Sequence, residues 1–417
     1  MKIKIFTHGC KVNQYEAQGL EEMFLSLGCK ITKKKADIYV INTCTVTSRA
    51  DSKSRDTILR AKKENPHAKL VVCGCLEEEN SNFFKKLGVD YIIPQNKKHI
   101  LPEIVLGLSS GINNALEYED IWNLKIKKFY NHRAFIKVQD GCNNFCSFCK
   151  IPYVRGRSNS RGIEDVLEEV QRISLFHQEI ILCGTNLSMY GKDIDPPITL
   201  AHLVDKVLAI PSLGRLRLSS LEPYFVNDKL ISFLNNQKFC AHFHFPFQYG
   251  DDEILKAMNK KERVLLYDNL VLKSRDADPD VAISCDIMVG FPGEEDNHFR
   301  NLVGFLNRVK PMRMHIFTFS PREKTRFHDM KIINQKEVRK RYHILKDLAD
   351  KFSIEYENKF LGKKVFMVSE QKNKGFVCGY TENYIKVYVQ ESIPLGKIIP
   401  VKIDKIEDGK VLAISIK

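Results

Sequence analysis

The stretch Phe135-Ile136-Lys137-Val138-Gln139-Asp140-Gly141-Cys142-Asn143-Asn144-Phe145-Cys146-Ser147-Phe148-Cys149 runs an apolar segment straight into three closely spaced cysteines. Residues 135–138 read as a β-strand, and the CxxxCxxC spacing places three thiols on one tight loop just beyond it. Thiolates are soft ligands that suit zinc or iron–sulfur clusters. Structural zinc takes four protein ligands, usually from two CxxC knuckles, and no histidine or fourth cysteine follows nearby. Three cysteines on a cubane [4Fe-4S] cluster leave one iron open to a small ligand. A zinc knuckle or idle cysteines are the competing readings.

Downstream, apolar runs recur at residues 179–183, 215–219, 242–246, 282–289 and 314–319, separated by helical patterns such as 166–176 and 299–309. Six β/α units predict a partial (β/α)6 TIM-like barrel, open at one side, with its active site at the C-terminal strand ends. A long basic helix over 335–359 closes this region. Upstream, strands at 2–7, 37–42, 69–73 and 91–93 alternate with helices over 15–27 and 50–63, the rhythm of a parallel sheet covered on both faces. After residue 359 the helical period stops. Five short strands at 364–369, 375–379, 385–390, 398–403 and 410–416 predict a small antiparallel, OB-like barrel. The fold class is therefore α/β. An N-terminal parallel-sheet domain spans 1–120, the partial barrel 128–357 and the terminal β-barrel 359–417, with a polar linker over 121–132.

Cys10, Cys44 and Cys75 form a second, dispersed constellation. Each lies at or just past the end of a predicted parallel strand, and parallel strands bring those ends to the one edge where open α/β sheets bind ligands. The competing reading is three buried, inert cysteines. Cys73 competes with Cys75, and Cys75 is preferred because it lies beyond its strand.

The 417 residues are 43% hydrophobic and 28% charged, which excludes a wholly disordered or fibrous chain. No run of 18 apolar residues occurs, so no membrane span is expected, and residues 1–8 are too polar for a signal peptide. A cytoplasmic protein is expected. Lys+Arg number 65 against 51 Asp+Glu, a net charge of +14, which favours nucleic acid as the partner over a membrane. Residues 359–417 alone hold 11 Lys/Arg and 6 Asp/Glu. Twelve cysteines in such a compartment point to metal or redox chemistry rather than disulfides.

The CxxxCxxC loop resembles that of the radical S-adenosylmethionine (SAM) enzymes. Gly9-Cys10-Lys11-Val12-Asn13-Gln14-Tyr15-Glu16, Asn42-Thr43-Cys44-Thr45-Val46-Thr47, Gly74-Cys75, Arg155-Gly156-Arg157-Ser158, Ser219-Ser220-Leu221-Glu222-Pro223, Val289-Gly290-Phe291-Pro292-Gly293-Glu294 and Phe319-Ser320-Pro321-Arg322 narrow the resemblance to the methylthiotransferases. It covers nearly the whole chain in the expected order. Lys11-Val12-Asn13-Gln14 and the 379–387 segment look like the branch acting on N6-threonylcarbamoyladenosine at position 37 of tRNA. The other branches act on isopentenyladenosine 37 or on a ribosomal-protein aspartate. Lys150, Tyr249, Asp251 and Lys324 depart from the family pattern.

The resemblance implies two [4Fe-4S] clusters, on Cys142, Cys146 and Cys149 and on Cys10, Cys44 and Cys75, with SAM used twice. It places the SAM pocket at Gly184, Thr185, Asn186, Glu222, Gln248 and Gly290. Arg155, Arg157 and Arg161 read as a basic loop holding phosphates near the reacting base. The terminal barrel resembles the TRAM modules that bind RNA, with Tyr380 and Tyr384 as candidate stacking residues. The expected partners are the tRNA anticodon stem-loop, an electron donor and a sulfur source, and a monomer is expected. A two-cluster electron carrier and a zinc-dependent RNA-binding protein are the readings from other classes.

Overall fold

The computed structural model describes residues 1–44, 48–75, 81–108, 121–330, 333–373 and 375–416. The chain begins with β1 (Lys2–Thr7), α1 (Lys11–Ser26), β2 (Lys30–Ile31), β3 (Ile38–Thr43), α2 (Ser48–Glu64), β4 (Lys69–Gly74), α3 (Ser81–Lys86), β5 (Tyr91–Ile92) and α4 (Leu101–Leu106). The five strands pair in parallel in the order β2-β1-β3-β4-β5. Central β3 is buried along its whole length, as a parallel strand covered on both faces must be. Thr7 pairs with Asn42 and Thr43 with Gly74. The residues that follow β1, β3 and β4 therefore leave the sheet along one edge.

The middle of the chain holds β6 (Arg133–Asp140), α5 (Ile151–Arg155), β7 (Asn159–Ser160), α6 (Ile163–Ser174), β8 (Glu179–Gly184), α7 (Leu200–Leu208), β9 (Arg215–Leu218) and α8 (Asp228–Ser232). It continues with β10 (His242–Gln248), α9 (Asp252–Ala257), α10 (Val264–Ala277), β11 (Ala282–Val289), α11 (Asp296–Val309), β12 (Arg313–Thr318) and α12 (Gln335–Asn358). Sheets β7-β6-β8-β9 and β10-β11-β12 are joined by bridges at Leu216–Phe239 and Ser220–His244. The result is one curved wall of six parallel strands, with β12 at its far end. Helices pack outside it through apolar stripes. In α6, Val166, Val170 and Ile173 are fully buried, each contributing about 1.5–3 kcal/mol, and Glu164 and Asp165 sit in its first turn, where they complement the helix dipole. In α12, Val338, Leu345 and Phe352 repeat every seven residues and are buried against the wall.

The last strands are β13 (Lys364–Asn373), β14 (Phe376–Thr381), β15 (Lys386–Val389), β16 (Ile398–Glu407) and β17 (Lys410–Ser415). They close into a barrel in the order β13-β14-β15-β17-β16. This barrel docks on the N-terminal ends of the parallel strands. Glu179 accepts from Arg215 Nε at 2.6 Å and Arg217 Nε at 2.9 Å. The same two guanidiniums donate to the carbonyls of Phe366, Tyr380, Thr381 and Glu382. The α/β class, the parallel sheets, the (β/α)6 wall and the five-stranded terminal barrel are those read from the sequence, except that the barrel is not wholly antiparallel: β15 and β17 pair in parallel, because β16 separates them in the chain and lies on the far side of β17. The two-residue β2 is an addition, too short to leave a pattern. Among the described residues no helix is long and apolar enough to cross a membrane.

Candidate functional site

The loop after β6 is shaped by glycine and pinned from outside. Gly141 has φ +70°, and a Cβ there would lie 1.9 Å from the Arg157 carbonyl oxygen, so only glycine makes this turn. Cys142 N donates to Gly156 O at 3.1 Å and Cys149 N to Cys146 O at 2.9 Å. Ser147 is tied to the end of α9 through Met258 O and Ala257 O, and Asn259 Nδ2 donates to Phe145 O at 3.0 Å. Cys142, Cys146 and Cys149 thereby face a cavity of about 300 Å³ at the C-terminal ends of the strands. That is the lower end of the usual size for small-molecule sites.

Of the expected SAM-pocket residues, Thr185, Asn186, Glu222 and Gln248 line this cavity. Gly184 and Gly290 do not. Gly184 is packed against Gln139, and Gly290 lies in a turn where its N–H donates to Glu294 at 2.7 Å and its Cα faces Val338 of α12. Their glycine character serves close packing rather than a ligand.

The cavity fits a site-differentiated cluster. Among the described residues that line it there are three cysteines, no fourth and no histidine. Burial pushes all three thiols up, Cys149 to about 12, so they stay protonated until a metal centre displaces the protons. Asn186 Nδ2 lies 3.5 Å from Cys142 Sγ, while its buried Oδ1 has no partner. Such an orphaned acceptor is costly unless a ligand fills the cavity. Lys260 pairs with Glu222, whose carboxyl burial pushes up to about 8.

The second trio gathers at the sheet edge. Cys10 precedes α1, Cys44 follows β3 and Cys75 follows β4. A Cβ on Gly9 would lie 3.0 Å from Cys44 Sγ, and Cys75 N donates to Thr43 O at 3.4 Å. The Cys10 and Cys75 thiols are close enough for charge on one to act on the other. Cys73 points away from this edge into the sheet's apolar core, its Sγ 3.8 Å from Asn42 Oδ1. Burial pushes its thiol up to about 12.

Arg155 and Arg161 are not a solvated phosphate loop, which corrects the expectation for both. Arg155 Nε donates to Cys75 Sγ at 3.2 Å, and its Nη1 and Nη2 reach Asp140 at 2.8 Å, Glu16 at 3.1 Å and Asn13 at 2.5 Å. Glu16 is also held by Lys98 at 2.5 Å and Lys137 at 2.8 Å, and Asp140 by Lys137 at 2.7 Å. Arg161 pairs with Glu169 and Asp165 beneath Tyr15. Both side chains are about 1% exposed: water is excluded, and each guanidinium charge is matched by two carboxylates. Arg157 is the exposed member, stacked on the Phe145 ring at 4.4 Å.

Tyr380 and Tyr384 are likewise engaged. They stack on each other at 4.9 Å, and Tyr384 stacks on His242 at 4.4 Å. Arg133 and Arg313 lie over both rings. These tyrosines cement the two barrels together and are not an open base platform. Sequence reasoning missed Glu16, Lys137, Asp140, Lys260, Asp286, Met288 and Phe317. For the last three, the period-2 alternation on β11 and β12 was an available signal.

The family model described as "Radical SAM superfamily" matches residues 136–306, and that described as "Uncharacterized protein family UPF0004" matches residues 2–93. The threonylcarbamoyladenosine tRNA methylthiotransferase MtaB of Thermotoga maritima is 34% identical over 396 residues, covering 92% of this chain and 90% of that protein. The Bacillus subtilis protein of the same name is 34% identical, covering 97% and 94%. The tRNA-2-methylthio-N(6)-dimethylallyladenosine synthase of Acetivibrio thermocellus is 32% identical, covering 96% and 88%. The solved structure of the radical S-adenosylmethionine methyltransferase TsrM from Kitasatospora setae shares the fold. Its TM-score is 0.56 at 13% identity, covering 76% of this chain and 71% of that one.

Proposed function

The chain belongs to the radical SAM tRNA methylthiotransferases, and on that premise we propose that it places a methylthio group at C2 of N6-threonylcarbamoyladenosine 37 of tRNA. The observation that carries the reading is the pairing of two cysteine trios through one side chain. Arg155 ends the short helix that begins two residues after Cys149, and its Nε rests on Cys75. The Thermotoga and Bacillus relatives carry the threonylcarbamoyladenosine name, and Lys11-Val12-Asn13-Gln14 supports the same branch. The dimethylallyl substrate is the second reading, favoured by the relative of that name.

Cys142, Cys146 and Cys149 would hold one [4Fe-4S] cluster, with SAM beside it in the cavity, and Cys10, Cys44 and Cys75 would hold another. Together these groups supply the radical, the sulfur and the methyl group, and the hard chemistry is theirs. The chain's residues bind and orient. Asn186 steadies Cys142 with its amide and offers Oδ1 to a ligand donor. Thr185 is fixed by its hydroxyl on Asp140 at 2.9 Å. Met288 and Phe317 give the cavity an apolar wall that packs a purine and keeps water out. Three cations (Lys98, Lys137, Arg155) against two carboxylates (Glu16, Asp140) leave one positive charge beside Cys75, where thiolates must be carried. We assign 1–120, 128–357 and 359–417 as the domains that deliver the sulfur site, the radical site and part of the tRNA surface.

The test is mass spectrometry of tRNA nucleosides from cells with and without the gene. The methylthio form of threonylcarbamoyladenosine should vanish with the gene. Loss of the methylthio form of isopentenyladenosine instead would move the protein to the other branch.

A further inference from the structure

A cluster on the inner wall of the parallel barrel takes no part in holding either cysteine trio. Asp286 stands at its centre: His244 Nε2 lies 3.2 Å and His315 Nδ1 3.1 Å from the same Oδ1. His244 Nδ1 lies 2.8 Å from Ser284 Oγ, which also meets His242 Nε2 at 2.8 Å. Ser284 pairs with Arg313, Asp286 with His315 and Met288 with Phe317. Strand alternation puts Arg313, His315 and Phe317 on one face of β12. Asp286, Met288 and Phe317 line the cavity beside the CxxxCxxC loop. His315 thus sits one pleat below the cavity wall, on the strand that ends the barrel, with half its side chain exposed.

The direction of these bonds is set by charge. Burial pushes the Asp286 carboxyl up, but the two imidazoles outweigh it and hold the group well below the usual carboxylate range. An ionised carboxylate only accepts, so His315 donates through Nδ1–H. Its Nε2 meets no hydrogen-bond partner among the described residues. A half-exposed ring with one nitrogen on a carboxylate can bridge a second anion when both of its nitrogens carry protons. The surroundings favour an anion too: the charges of Lys11 and Arg313 both act on His242 and on Tyr384 nearby. An apolar prenyl group would leave His315 Nε2 desolvated and unpaired, at a cost.

We propose that His315, oriented by Asp286, is the specificity-determining residue that receives the carboxylate of the substrate's N6 side chain. The inference rests on the threonylcarbamoyladenosine reading, because only that substituent carries a carboxylate. His244 and Ser284 are positioning residues behind Asp286.

The test measures binding by the full-length, cluster-loaded protein of anticodon stem-loops that differ only at position 37. They carry threonylcarbamoyladenosine, its methyl ester or isopentenyladenosine. The unaltered protein should bind the free carboxylate about tenfold or more tighter than the ester. His315→Phe should lose that preference while keeping the affinity for the ester. His315→Gln, which keeps a donor, should recover part of it. Full iron content and an unchanged thermal unfolding midpoint would show that the variants fold and hold their clusters. A preference that survives in His315→Phe overturns this inference and leaves the substrate reading standing. Tightest binding of the isopentenyl stem-loop overturns the substrate reading, and the inference with it. The three donor atoms lie within 4.8 Å of one another, so a transition metal is the rival occupant. One equivalent of non-iron metal per chain, lost in His315→Phe, would overturn the carboxylate site in its favour.

Discussion

Arg155 Nε lies 3.2 Å from Cys75 Sγ, at the seam between the N-terminal sheet and the parallel barrel. The guanidinium is anchored on Asp140, Glu16 and Asn13, so it cannot follow the thiol if the thiol moves. It fixes where the second trio stands relative to the first. Arg155→Gln should leave Glu16 and Asp140 short of a cation, a loss of about 3–5 kcal/mol for a broken buried pair. Arg155→Lys should keep the charge but lose the fork that serves four partners. The measurement is denaturant unfolding together with iron content. Both variants should be less stable and hold less iron, Gln more so than Lys. Full iron and full stability in Arg155→Gln would remove the residue from this role.

The cysteines after β4 separate cleanly. Cys73 is fully buried in the apolar core, whereas Cys75 lies past the strand end against Arg155. Cys75→Ala should lose about half the iron, since one of two clusters goes, and should stop methylthiolation while reductive SAM cleavage continues. Cys73→Ala should keep both clusters. Its cost should be a cavity effect on stability, of about 1 kcal/mol. Iron loss in Cys73→Ala but not in Cys75→Ala would reverse the assignment.

For the CxxxCxxC loop the expected pattern is the converse. Replacing Cys142, Cys146 or Cys149 with Ala should abolish 5′-deoxyadenosine production and halve the iron, with the second cluster remaining. Normal SAM cleavage by any one of these variants would contradict the assignment.

Much of this architecture was readable from local pattern. Strands β6, β8 and β11 announce themselves as apolar runs, and the thiols of the CxxxCxxC loop need only short-range spacing. The convergence of Cys10, Cys44 and Cys75 was inferable because parallel strands share an edge. The charge network was not. Glu16 in mid-helix and Lys137 in a strand look solvated in isolation, and only the docking of α1 on β6 buries them together. The same holds for Arg155 and Arg161. A run of arginines in a Gly/Ser-rich segment reads as an anion grip, but their carboxylate partners lie at positions 16, 140, 165 and 169. Tyr380 and Tyr384 were misread because no sequence pattern says which face of a small barrel is covered.

Docking of the terminal barrel should be acid-sensitive through Glu179. Burial pushes this carboxyl up, but Arg215, Arg217 and Arg133 outweigh it and bring it down to about 2 from an ordinary 4.5. A depressed pKa gives stability that is fully present above the unfolded value and is lost as pH falls from about 4.5 toward 2. Between pH 6 and pH 3 the loss from this group is about 2 kcal/mol. Unfolding free energies at the two pH values should differ less in Glu179→Gln than in the unaltered protein, by about that amount. The variant should also be less stable at pH 7, where three arginines lose their shared partner. Equal pH dependence in the two proteins would show that Glu179 does not titrate across this range.

The terminal barrel also carries a facing pair of exposed lysines that suits a phosphate. Lys364 of β13 pairs directly opposite Lys402 of β16, and both are exposed. Like charges facing each other across an antiparallel pair are destabilising by a few tenths of a kcal/mol. Such an arrangement is relieved when a phosphate lies between them. Deleting residues 359–417 is a poor test, because it would strip Arg215 and Arg217 of four carbonyl partners and uncover His242. Lys364→Gln with Lys402→Gln leaves that interface alone. Each lost phosphate contact should lower the slope of log affinity against log salt by about 0.9 on duplex and 0.7 on single strand. With one phosphate between the two lysines, the double variant should therefore bind tRNA more weakly at low salt, with a slope smaller by about 0.7–0.9, and converge on the unaltered protein as salt rises. Its thermal stability should be unchanged or slightly higher, since a repulsion is removed. Equal slopes with equal affinities would place the tRNA backbone elsewhere, and the exposed Arg157 would be the next position to examine.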